Sequence, residues 1–307
     1  MSLSSKHILD LQSLPREDIE LILDTAEGQK EILDRTVKKV PILRGKSICT
    51  FFIENSTRTK CSFEIAAKML SADVTSVSKV GSSLNKGESF KDTLLTLEAM
   101  GVDMFIIRHS ASGSPYYATK IVKSHIVNAG DGMHAHPTQG LLDLLSIRER
   151  MGVIEGLTVL IVGDIYHSRV ARSDIWGLAK MGARVRVCAP ETLIPAELKR
   201  FPCEIYTDLK KAAAGADVIN MLRVQTERMH SGFFSGTREY NYFYGLDSGI
   251  LEDYAPKAVV MHPAPINRGV EIASEVADSS RSIIVRQVTN GVAVRMAILY
   301  LLLGHQE

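Results

Sequence analysis

Residues 47–60 read Ser-Ile-Cys-Thr-Phe-Phe-Ile followed by Glu-Asn-Ser-Thr-Arg-Thr-Lys, and residues 61–70 continue as Cys-Ser-Phe-Glu-Ile-Ala-Ala-Lys-Met-Leu. The first seven residues form an apolar run of strand length, and the last ten space their apolar side chains as a helix does. A short polar turn therefore joins a strand to a helix. The same order recurs along the chain, with further strand candidates at 74–77, 104–108, 126–128, 158–162, 184–188, 204–206, 218–221 and 258–262. Such alternation implies βαβ units, hence mostly parallel sheets covered by helices on both faces. The expected class is α/β.

The 307 residues, 45% hydrophobic, suffice for two medium domains with a core each. A helix is predicted over 16–33. Another over 136–151, with Leu141, Leu142, Leu144, Leu145 and Ile147 at helical spacing, reads as the connecting helix. The segment 292–303 is apolar nearly all round apart from Arg295, which suits a buried helix too short for a membrane. The expected division is 1–135 for the first domain, with helix 290–307 packing back on it, then 136–151, then 152–289 for the second domain.

Lysine plus arginine (36) nearly balances aspartate plus glutamate (35), so no whole-molecule field steers the chain to nucleic acid or a membrane surface. Any anion site must be local. Cys49, Cys61, Cys188 and Cys203 form no C-x-x-C pair and read as free thiols of a reducing compartment. The N-terminal residues lack the order of a signal peptide, and the expected location is the cytoplasm.

Chemistry concentrates in the turns. A polar turn opening a helix aims backbone N–H groups and the positive dipole end outward, and Ser56, Thr57 and Thr59 add hydroxyls while Arg58 adds a bidentate fork. Two readings stand here, an anion cradle and an ordinary N-cap. Arg108 ends the strand at 104–108, on the edge where open parallel sheets bind ligands. His136 and Gln139 would project from one helical turn, with Pro137 suited to its first position. His134 and His136 lack the further ligands that a metal site needs. After the strand at 158–162, Gly163 stands alone where a dinucleotide fingerprint needs three glycines, and the next strand ends Cys188-Ala189-Pro190 with no acid for a ribose. The turn supplies Arg169 instead. Arg223 follows the strand at 218–221, so two arginines at separate strand ends could grip two carboxylates. The loop 81–88, Gly-Ser-Ser-Leu-Asn-Lys-Gly-Glu, reads as a mobile lid or a plain solvated loop. His262-Pro263-Ala264-Pro265 fixes a rigid backbone that exposes carbonyls.

Together, Ser56-Thr57-Arg58-Thr59, Ser83-Leu84-Asn85-Lys86-Gly87-Glu88, Arg108-His109, His136-Pro137-Thr138-Gln139, Arg223-Val224-Gln225 and the segment from His262 to Gly269 resemble the aspartate carbamoyltransferase catalytic-chain family, in its order and nearly end to end. The resemblance implies a carbamoyl-phosphate domain and an aspartate domain, in a homotrimer serving de novo pyrimidine biosynthesis with sites shared between subunits. No cofactor or metal is implied. By position, Ser56, Thr57, Arg58, Thr59 and Arg108 would bind the phosphate. Arg58, Thr59 and His136 would face the carbamoyl oxygen, and Gln139 the carbamoyl nitrogen. Arg169, Arg223 and Gln225 would hold the aspartate carboxylates, Ala264 and Pro265 would offer backbone carbonyls, and Lys86 would reach in from a neighbouring subunit. The sister family that uses ornithine typically carries His-Cys-Leu-Pro where this chain has His262-Pro263-Ala264-Pro265. Lys60 stands where the family usually has a second arginine, and Ala264 where some members have leucine. A regulatory chain or a dihydroorotase are the further partners to consider, with a trimer alone as the expectation.

Overall fold

The computed structural model describes residues 2–79, 87–224 and 236–304. By contacts the chain divides into two compact units, Met1–Leu142 with Thr289–Glu307, and Asp143–Val288.

In the first unit, β1 (Ser47–Phe52), β2 (Asp73–Ser78), β3 (Met104–His109) and β4 (His125–Asp131) form a sheet in the order β2-β1-β3-β4, all neighbours parallel. Parallel neighbours need crossovers, which α2 (Thr57–Met69), α3 (Phe90–Ala99) and the short α4 (Ser114–Ala118) supply. β1 and β3 are buried along almost their whole length, whereas β2 is mostly accessible. This difference follows from their apolar sequences and from β2 lying at the edge. Phe51, Phe105, Ile107, Ile126 and Leu94 pack together here, each fully buried, and side chains of this size contribute about 1.5–3 kcal/mol each. The opening helix α1 (Arg16–Asp34) also belongs to this unit.

In the second unit, β5 (Thr158–Val162), β6 (Arg184–Cys188), β7 (Glu204–Tyr206), β8 (Val218–Met221) and β9 (Val259–Met261) form a parallel sheet in the order β7-β6-β5-β8-β9. Its helices include α6 (Arg169–Lys180), α7 (Leu209–Ala213), α8 (Thr237–Tyr244), α9 (Ser248–Tyr254) and α10 (Ser274–Ala277). Leu160, Val162, Ile219, Met221 and Val260 anchor its core.

The unit boundaries fall inside two helices, α5 (Pro137–Met151) and α11 (Ile284–Leu303). All nine expected strands are present to within a residue or two, except that β4 runs three residues beyond the expected end. α11 is the main departure, beginning eight residues before the expected start at Val292. Residues 284–291 include Arg286, Gln287, Thr289, Asn290 and Gly291, which break the apolar pattern while remaining helical. Further along α11, Arg295 is buried, donates to Ser62 Oγ at 2.9 Å and lies over the Phe63 ring. No helix among the described residues is long and apolar enough to cross a membrane.

Candidate active site

Each sheet has one place where the strand order reverses. In the first it lies between β1 and β3, which diverge to β2 on one side and β4 on the other, and the carboxyl ends of such strands leave a crevice suited to a ligand. The expected residues of the first unit follow the ends of β1, β3 and β4, which are adjacent strands. Ser56 occupies the N-cap of α2, yet its side chain makes no capping bond; its Oγ donates to Thr59 Oγ1 at 3.0 Å. The N-caps of α3, α6, α7 and α9, in contrast, each accept a backbone N–H. The ordinary N-cap reading of Ser56 therefore fails in its hydrogen bond, and the anion-cradle reading retains the first-turn N–H groups that it needs. Thr57 and Arg58 are exposed, and Thr59 is buried. Lys60, one residue further, lies 4.0 Å from Glu64, a loose helical pair without a bidentate fork.

Arg108 is buried at the end of β3, beside a register shift in the β3–β4 pairing. Its Nη2 donates to Glu54 Oε1 at 2.7 Å and its Nη1 to the Ala129 carbonyl at 3.0 Å. Glu54 therefore adjoins the candidate site through Arg108, whereas the sequence offered it only as a polar residue opening the turn. The next residue, His109, has its pKa lowered because burial outweighs the opposing pull of Glu54 and Asp131. His136 is buried immediately before α5, Pro137 takes the first helical position, and Gln139 is half-buried in the same turn. His134 pairs with Asp131 at 3.0 Å, and no group of three or more His, Cys, Asp or Glu placed to hold a metal occurs among the described residues.

In the second sheet the order reverses between β5 and β8. Gly163 leaves β5 at φ +132°, and a Cβ there would stand 3.0 Å from Leu222 Cβ and 3.1 Å from the Tyr240 hydroxyl, so glycine is required on both counts. The turn that follows is braced from within: His167 donates its backbone N–H to Asp164 Oδ1 at 3.1 Å and places its ring Nδ1 2.9 Å from the same oxygen. Both side chains are buried. That brace delivers Arg169, itself 5% exposed, to the first position of α6, after an N-cap in which Ser168 accepts the Ala171 N–H. Arg223 is half-buried just beyond β8. After β9, Ala264 is half-buried at φ +52° and joined to the exposed Pro265 by a cis peptide. This loop is tied back to the β8 end, because Asn267 Nδ2 donates to the Val224 carbonyl at 3.2 Å. Arg169, Arg223 and the 264–265 segment thus follow adjacent strands β5, β8 and β9. Lys86, Gln225 and residues 81–86 of the loop 81–88 lie outside the described residues. Sequence reasoning missed Glu54 and the Asp164–His167 and His262–Glu271 pairs, each a contact that only the fold assembles.

Residues 6–149 match the family model described as aspartate/ornithine carbamoyltransferase, carbamoyl-P binding domain, and residues 155–302 the one described as the Asp/Orn binding domain. The aspartate carbamoyltransferase catalytic subunit of Halothermothrix orenii is 56% identical over 306 residues, covering 100% of this chain and 98% of that protein. The corresponding subunit of Heliobacterium modesticaldum is 55% identical over 304 residues, covering 99% and 97%. Among solved structures, aspartate transcarbamoylase from Trypanosoma cruzi in complex with N-(phosphonacetyl)-L-aspartic acid is 28% identical, with a TM-score of 0.88 and coverage of 98% and 97%. Ornithine carbamoyltransferase from Pyrococcus furiosus is 28% identical, with a TM-score of 0.89 and full coverage of both chains. Backbone likeness extends to enzymes named for two different acceptors, whereas the Halothermothrix orenii and Heliobacterium modesticaldum relatives, at 55–56% identity over nearly the full chain, are both named for aspartate. The chain belongs to the aspartate/ornithine carbamoyltransferase family, on its aspartate carbamoyltransferase catalytic-subunit branch.

Proposed function

We propose that this chain transfers the carbamoyl group of carbamoyl phosphate to the amine of L-aspartate, giving N-carbamoyl-L-aspartate and phosphate. The observation that carries the choice of acceptor is the placement of Arg169 and Arg223 at the reversal point of the second sheet. Two guanidinium groups suit a dicarboxylate and would repel a cationic side chain such as that of ornithine.

In the proposed reaction the neutral amine attacks the carbamoyl carbon, a tetrahedral oxyanion forms, and phosphate departs. Ser56, Thr57, Arg58, Thr59 and Arg108 hold the phosphate. Arg58, Thr59 and His136 donate to the developing oxyanion, and Gln139 accepts from the carbamoyl nitrogen. Arg169, Arg223 and Gln225 grip the aspartate carboxylates, while the carbonyls of Ala264 and Pro265 face the carbamoyl and amino nitrogens. Lys86 completes the set from a neighbouring copy in a trimer. The departing phosphate takes the amine proton, with His136 engaged as a donor to the oxyanion. Orientation of two substrates can supply up to about 7–11 kcal/mol and each oxyanion donor about 3–4 kcal/mol, so positioning carries most of the acceleration. The reducing cytoplasm is the proposed compartment, supported by four cysteines that form no disulfide.

The test is calorimetric binding of N-(phosphonacetyl)-L-aspartate, which spans both proposed half-sites. Binding in the parent protein that is lost in Arg58→Ala and in Arg223→Ala supports the reading. Binding unaffected by either substitution contradicts it.

A further inference from the structure

A chain of buried polar groups runs through the second unit without any part in the chemistry above. Asp143 on α5 is 3% exposed and Asp174 on α6 is 1% exposed. Asn220 Nδ2, from β8, donates to Asp174 Oδ2 at 2.9 Å, and Gln287 Nε2, from the start of α11, donates to Asp143 Oδ1 at 2.7 Å. The two carboxyls are themselves in hydrogen-bonding contact. Two carboxylates cannot hydrogen-bond without a proton between them, and two buried negative charges at that range cannot both persist. Asp174 Oδ1 meets no N–H or hydroxyl donor, which leaves it available to hold a proton towards Asp143. Burial and then the Asp143 charge push the Asp174 carboxyl well above the usual carboxylate range, and Asp143 is the charged group acting on it among the described residues.

The chain continues into the loop after β9. With its Nε2 committed to Asp143, the Gln287 amide turns its oxygen to the His262 backbone N–H, which donates at 3.0 Å. His262 in turn accepts the Ala264 N–H at Nδ1 (2.8 Å), so the neutral ring carries its proton on Nε2 and donates it to Glu271 Oε1 at 3.0 Å. The same oxygen accepts the Asn267 N–H at 2.5 Å. Backbone donors at 262, 264 and 267 are therefore tied into one sequence of hydrogen bonds whose far end is the carboxyl pair.

We propose that Asp143 and Asp174 share a single proton and, through Gln287, act as a positioning unit for the loop that bears the Ala264 and Pro265 carbonyls. The effect on aspartate rests on the function proposed above; the shared proton does not.

Two measurements separate these parts. Asn at 174 can accept from Asn220 through its oxygen and donate to Asp143 through its nitrogen, reproducing both bonds without titrating. A carboxyl with its pKa raised by folding loses its proton more readily in the unfolded chain, so the parent loses stability as pH rises above about 3.8 towards the folded value. Asp174→Asn should raise the unfolding midpoint, by more at pH 8 than at pH 5. Parallel midpoints across that range would overturn the shared proton. Gln287→Glu can imitate the glutamine only while protonated. Its aspartate KM should lie near the parent value at low pH and rise about 10-fold or more with pH, relative to the parent, while the carbamoyl phosphate KM follows the parent. A KM ratio to the parent that does not change with pH would overturn the positioning role. A parent without aspartate activity would overturn the functional reading and with it the KM test, leaving the unfolding result to decide the shared proton.

Discussion

Arg108 donates to Glu54 across the ends of the neighbouring strands β1 and β3, at 2.7 Å and with only 10% and 20% of the two side chains exposed. The contact fixes the guanidinium at the place where the sheet order reverses, and it sets a positive partner against the glutamate beside the proposed anion cradle. Arg108→Ala removes a proposed phosphate donor together with its 2.7 Å bond to Glu54. The carbamoyl phosphate KM should rise about 10–100-fold, the equivalent of about 1.5–3 kcal/mol for a hydrogen bond to a charged group. Steady-state kinetics with each substrate varied in turn would check this, and an equal rise in the aspartate KM would count against the assignment.

Gly163 and Gly28 should respond oppositely to alanine. At Gly163 the backbone sits at φ +132° and the new Cβ would meet Leu222 and Tyr240, so Gly163→Ala should cost about 1–3 kcal/mol. Gly28 is exposed within α1, and a Cβ there meets nothing within 4 Å. Gly28→Ala should therefore stabilise by about 0.5–1 kcal/mol. Urea unfolding of both variants provides the comparison.

His7 sets an acid limit on the first unit. Its Nδ1 accepts the Ile126 backbone N–H at 3.1 Å, and burial, followed by Lys6, His125 and Lys120, depresses its pKa to about 4. The folded ring resists protonation, so below about pH 6.5 the unfolded chain takes up this proton first and stability declines until the pH reaches about 4. His7→Gln, which retains an acceptor, should flatten the fall in urea midpoint between pH 6.5 and pH 4.5. A slope identical to that of the parent would show that another group governs it.

The strands were legible because each is a short apolar run between polar turns, and a buried parallel strand needs little else. The helix α11 was legible only where it is uniformly apolar. Its first two turns carry Arg286, Gln287 and Asn290, and Gln287 is buried through a hydrogen bond to Asp143, a residue 144 positions earlier that no local pattern can connect to it. The proposed site residues stood out as arginines, hydroxyls and histidines at strand ends. Their supports did not, because Glu54 with Arg108, Asp164 with His167 and Asp143 with Asp174 are polar side chains whose burial is decided by tertiary contacts. Thiol behaviour lies between these cases: the apolar runs around Cys49 and Cys188 mark them as core residues, and burial pushes both up to about 12, beyond ordinary reactivity.

Product formation from carbamoyl phosphate by the purified chain, with L-aspartate and L-ornithine supplied in parallel, decides which amine is the acceptor. N-carbamoyl-L-aspartate and no citrulline are expected, with the aspartate KM raised selectively in Arg169→Ala and Arg223→Ala. Citrulline as the product, or no product with either amine, would rule out aspartate carbamoylation by this chain.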